Sequence, residues 1–160
     1  MKVFALVGML ALALASGSAL AASTSSSDGA LAVKNGDGRV IFNGRGGVIG
    51  RIDLGQVTIK DPNPNDGTGP IVTGADQTVP LGERTTRYTG KNIRFRIIGG
   101  TFTVTVNGNG ITMSVIGKGL VTMDGTNDTD GTYALNADPV QPFPVFKLTL
   151  PLAASGSASP

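Results

Sequence analysis

Asn92-Ile93-Arg94-Phe95-Arg96-Ile97-Ile98 and, two glycines later, Thr101-Phe102-Thr103-Val104-Thr105-Val106 are the stretch whose reading decides the fold. Ile93, Phe95 and Ile97 alternate with Asn92, Arg94 and Arg96, and Phe102, Val104 and Val106 alternate with three threonines. Successive side chains of a strand point to opposite faces, so each run has one apolar and one polar face, as a half-buried strand requires. Asn107-Gly108-Asn109-Gly110 follows and predicts a hairpin turn, since Gly and Asn accept the positive φ angles that a tight turn needs. Ile111, Met113 and Val115 carry the next strand, and Gly117-Lys118-Gly119 is expected to turn it into residues 120–123.

Working outward, the same pattern holds upstream. Residues 39–43, 47–54 and 56–60 are β-prone and are separated by Gly44-Arg45-Gly46 and by Gly55, which predicts a three-strand meander. The Pro- and Asn-rich residues 61–67 end it, because Pro cannot continue a ladder. Downstream, an acidic loop at residues 124–131 precedes a short strand at 132–135. A last strand is expected over 145–150, with Phe146, Leu148 and Leu150 on one face. The fold class is therefore all-β, an antiparallel β-sandwich or jelly-roll-like meander. Its inner faces are expected to include Val40, Phe42, Ile93, Phe95, Phe102, Val104, Ile111, Met113 and Phe146. The alternative is a β-helix or solenoid, suggested by the repeated Gly-x-Gly elements and by Arg39, Arg45 and Arg51 standing six apart. That period breaks after Gln56, which favours the sandwich.

Both ends differ from this middle. Met1-Lys2, the apolar residues 3–15 and the small residues ending in Ala19-Leu20-Ala21 form the tripartite pattern of a secretory signal peptide, cleaved after Ala21. The apolar run is shorter than the roughly 20 residues that span a bilayer. Hence the expected organisation is a signal peptide at 1–21, a flexible spacer at 22–33, one all-β domain at 34–150 and a disordered tail at 151–160, with no transmembrane anchor once the signal is removed. The product is predicted to be secreted, in the extracellular space or the cell envelope. With no cysteine anywhere, stability comes from packing and pairing alone, which suits a bacterial exporter better than a disulfide-stapled extracellular module. The formal charge of +2 is too small to predict nucleic-acid binding from field strength.

Gly44-Arg45-Gly46-Gly47, Tyr88-Thr89-Gly90 before a charged strand, and the hairpin from Gly108-Asn109-Gly110 to Gly117-Lys118-Gly119 together resemble secreted, glycine-rich β proteins of high-GC Gram-positive bacteria, an uncharacterised group. The resemblance covers most of the mature domain. It implies a β-rich exported protein and brings no activity or site residue with it.

The missing residue types exclude whole chemistries. Without histidine there is no Ser-His-Asp triad and no imidazole-ligated zinc; without cysteine there is no thiol nucleophile. Glu occurs once, at Glu83, so a polysaccharide hydrolase would need an Asp pair such as Asp128 and Asp130, and such residues in a Gly-rich loop are ordinarily solvated turn residues. The chain is therefore expected not to be an enzyme. No cofactor is expected either, with calcium as the exception to test: Asp124, Asn127, Asp128 and Asp130 offer oxygens in a sharply turning loop, although Ala137 stands where a closing Glu should be. Asp61, Asn63 and Asn65 form a second such loop, and ordinary Asx turns explain both as well.

Arg84, Arg87, Tyr88, Lys91, Arg94 and Arg96 form a basic cluster suited to an anionic polymer of the cell wall or extracellular space, because a row of cations neutralises a row of anions. The plain counterpart is a solvated strand face whose charge discourages edge aggregation. Sugar binding finds little support, since stacking platforms need exposed aromatics and there is no Trp. The expected role is a non-catalytic structural or binding module. A calcium-stabilised adhesion or polysaccharide-binding domain and an Asp-pair hydrolase are the two rivals.

Overall fold

The computed structural model describes residues 28–126 and 131–153. The described chain is all-β: β1 (Gly29–Lys60), β2 (Ile71–Thr73), β3 (Gln77–Gly82), β4 (Thr85–Ile97), β5 (Thr101–Gly125), β6 (Thr132–Leu135), β7 (Gln141–Pro142) and β8 (Leu148–Leu152). All pairings are antiparallel and join one eight-stranded sheet. Its alternating residues are buried as expected, with Val40, Phe42, Ile93, Phe95, Phe102, Val104, Ile111 and Met113 all in one core.

The register of β1 on β5 shows how a single sheet encloses that core. Gly117 is paired with Gly29 on one side and with Gly46 on the other. A straight strand from Gly29 to Gly46 would be roughly 55 Å long, yet two residues flanking a common neighbour are only about 10 Å apart. β1 must therefore curl back on itself. β5 does the same, since Arg45 pairs with both Thr101 and Lys118. The two long strands form a coiled antiparallel ribbon, and the successive passes make the two layers of a sandwich.

The first layer runs β6, residues 29–36, 109–116, 47–54 and 91–97, then β2. The second runs β8, residues 118–124, 39–45, 101–107, 56–60 and 85–89, then β3.

Glycine marks the corners between the layers. Gly125, Gly38, Gly108, Gly55 and Gly90 are successive neighbours across five passes of chain. The backbones approach so closely at Gly108 that an added Cβ would lie 2.9 Å from the Gly55 Cα, which leaves glycine as the residue that fits. Bulges accompany this corner. Burial shifts phase from Leu31 and Val33 to Val40 and Phe42 in β1, and from Val106 to Ile111 in β5. Asn35 (φ 51), Asn92 (φ 56) and Gly110 (φ 66) take left-handed conformations there. One extra residue per pass keeps the apolar side chains inward on both sides of the bend.

Several expectations are corrected. Asn107-Gly108-Asn109-Gly110 is not a hairpin turn, and neither are Gly44-Arg45-Gly46 and Gly117-Lys118-Gly119: the runs they separate do not pair with each other but continue as one strand round a corner. Phe146 does not face the core and is 82% exposed. Gly125 N–H donates to the Pro144 carbonyl (2.8 Å) and Phe143 N–H to the Gly131 carbonyl (2.8 Å), which holds this segment against the corner. The Phe143 ring then covers Gly36, and Phe143 is the buried aromatic.

The domain is also longer than residues 34–150. The expected spacer overlaps β1, where Leu31 and Val33 belong to the core, and the expected tail overlaps β8, where Leu152 is buried. The expected signal peptide and cleavage site lie outside the described residues.

Candidate functional site

The basic cluster follows β4 across a corner, and so the structure divides it. In the second layer, Thr86 and Tyr88 sit opposite the inward Ile59 and Val57, and Tyr88 packs against the core. Arg87 consequently points outward between Thr58 and Val79, with its Nε buried and without a hydrogen-bond partner. Arg84 lies in the turn between β3 and β4, where its carbonyl accepts the Asp61 N–H at 2.8 Å and its side chain lines a shallow cleft with residues 62–66. Lys91 stands opposite Leu54 at the corner itself.

Past Asn92 the phase has shifted, and Arg94 and Arg96 project from the outer face of the first layer. A single continuous row from Arg84 to Arg96 is therefore not formed.

What Arg94 and Arg96 join is a groove running across the strands. One wall is the row Ala32, Ser114, Ile49, Arg96 and Ile71, neighbours in register. The other is Thr112, Arg51, Arg94 and Thr73. Between the walls lie Val33, Met113, Gly50, Phe95 and Val72, whose row belongs to the opposite phase and turns its side chains to the core, so the floor is backbone. Residues two apart on a strand are roughly 7 Å apart and neighbouring strands about 4.8 Å, which makes the groove a chain's width across and roughly 19 Å long. Its volume is about 490 Å³, within the range of small-molecule sites.

The charged side chains that line the groove are all arginines. Arg51 and Arg94 are directly opposite in the β1–β4 register, with Arg96 one step along the same face. Like charges in that position destabilise a sheet. Among the described residues the one ion pair is Arg45 with Asp28, at 4.0 Å, so no described carboxylate pairs directly with the three guanidinium groups of the groove; Asp53, the next outward residue of β1 after Arg51, lies with its carboxyl over Gly110 instead. Arg51, Ile49, Thr112 and Ser114 come from β1 and β5, and only the register of the sheet brings them to β4.

Of the expected calcium ligands, Asn127, Asp128 and Asp130 lie outside the described residues, as does the candidate catalytic pair. Asp124 is on β5 opposite Arg39. In the second oxygen-rich loop, Asp61 Oδ1 accepts the Asn63 N–H at 2.8 Å, and Asp66 Oδ1 accepts both the N–H (2.9 Å) and the hydroxyl of Thr68. These are Asx turns, and the Thr68 hydrogen bonds hold the Asp66 carboxyl below its usual pKa. No group of three or more acidic side chains placed to hold a metal ion occurs among the described residues. The chain matches no family model, no curated protein and no solved structure.

Proposed function

We propose that the protein is an exported, non-catalytic module that binds an anionic component of the cell envelope or extracellular space in the transverse groove of its first layer. The observation that carries this is the clustering of Arg51, Arg94 and Arg96 on one face with no described carboxylate paired to any of them. Facing guanidinium groups lower the stability of the free sheet, and an anion between them relieves that repulsion with charge-assisted, bidentate hydrogen bonds. Export is supported by the tripartite N-terminal pattern at residues 1–21. A non-catalytic role is supported by the absence of His and Cys from the whole sequence.

Cosedimentation with purified cell envelopes at low and high salt tests the reading. Binding should be salt-sensitive and fall about tenfold when Arg94 and Arg96 are both changed to Ser, whereas Arg87→Ser, on the other layer, should leave it unchanged. Envelope binding of equal strength in the parent and the Arg94/Arg96 double variant would remove the groove from the function.

A further inference from the structure

The groove is charged off-centre. Arg51, Arg94 and Arg96 crowd the β1–β4 seam, with Ile71 and Thr73 of β2 on one side of them, while on the other side the groove runs past Ile49 to Ser114 and Ala32 over a backbone floor. A polyanion would be matched by cations recurring along its path. Here the cations are bunched and the rest of the path is apolar or neutral. Ile49 is 46% exposed, directly beside the charged cluster, where an apolar ligand segment would cover it.

Resting on the anion-binding function above, we infer that the ligand class is a single-chain alkyl phosphate. Its phosphate sits among Arg51, Arg94 and Arg96, and its chain lies along the groove over Gly50 and Met113, against Ile49 and towards Ala32. A dianionic phosphate monoester matches three clustered guanidinium groups better than a single carboxylate does, and Arg forks suit its oxygens. A chain-wide trench with a backbone floor admits one alkyl chain. The occupant is accordingly a monomeric amphiphile rather than a bilayer surface.

Calorimetric titration of the full chain with octyl phosphate below its micelle concentration, inorganic phosphate and octyl glucoside tests this. Octyl phosphate should bind at least about tenfold more tightly than inorganic phosphate, and octyl glucoside should not bind measurably. Ile49→Ser should remove most of the advantage of octyl phosphate while leaving the inorganic phosphate affinity unchanged. Arg51→Ser with Arg94→Ser should abolish binding of both. Each variant is compared only where its urea midpoint is no lower than the parent's, which these outward positions should preserve. Equal affinities for octyl and inorganic phosphate would overturn the alkyl chain but leave the anion-binding function standing. Arg-independent binding of octyl phosphate would overturn the proposed phosphate position, and arginine-independent envelope binding would overturn the anion-binding function as well.

Discussion

A methyl group on Gly108 would sit 2.9 Å from the Gly55 Cα, against backbone that no side-chain rotation can clear. Gly108→Ala should therefore destabilise the protein by at least ~2 kcal/mol in urea unfolding. Gly69→Ala, where nothing lies within 4 Å, should stay within ~0.5 kcal/mol of the parent. The contrast separates glycines of the corner from glycines of a loop. Asp66 offers a second residue-level test. Its pKa is lowered first by the Thr68 side-chain hydrogen bond, then by the Thr68 backbone N–H. A depressed folded-state pKa contributes stability above the unfolded value, and that contribution is lost as pH falls through the folded value. Thr68→Val should move the Asp66 titration, followed by NMR, up towards the ordinary carboxylate range. An unmoved titration would show that the hydroxyl hydrogen bond is not what holds the carboxyl down.

Among elements, the segment after β7 separates local pattern from tertiary context. Phe146, Leu148 and Leu150 alternate as a strand should, yet the corner at Gly36 and Gly125 has room for a ring and Phe143 fills it. Phe143→Ala should accordingly cost about 3–5 kcal/mol and Phe146→Ala less than ~0.5, measured by urea unfolding. The β1–β4 seam gives a prediction of opposite sign. Arg51→Ser removes one of two facing cations and should leave the unliganded protein equally or slightly more stable, by up to ~1 kcal/mol. The strands were legible in sequence because alternation is a local property: Ile93, Phe95, Phe102 and Val104 declare their inward faces without knowing their partners. The corners were not, because Asn107-Gly108-Asn109-Gly110 serves a hairpin or a bulged bend equally well, and the choice depends on which distant strand lies alongside. A usable signal was present in the glycines at 29, 38, 46 and 55, and again at 100, 108, 117 and 125, which recur every eight or nine residues. For the site, Arg94 and Arg96 could be placed on one face from β4 alone, while Arg51, Ile49 and Ser114 reach them only through register.

For the whole molecule, two long strands supply the centre of both layers, and the short ones only finish the edges. An all-β class and a single core follow from composition and alternation, whereas the coiling of β1 round β5 is a property of neither strand alone. No intermediate piece of this ribbon is self-sufficient: the first pass of β1 has no partner until β5 has been made, and Gly38 waits for both Gly108 and Gly125. Nascent chains that emerge as far as β4 therefore own half of a sandwich and none of its central pairings. Folding is dominated by the slow closure of distant pairs, and refolding from urea should take milliseconds to seconds rather than microseconds in stopped-flow fluorescence of Tyr88 and Tyr133. Until β5 is complete the central ribbon cannot close, and for that period the chain stays open enough to be threaded through a narrow passage before it coils shut.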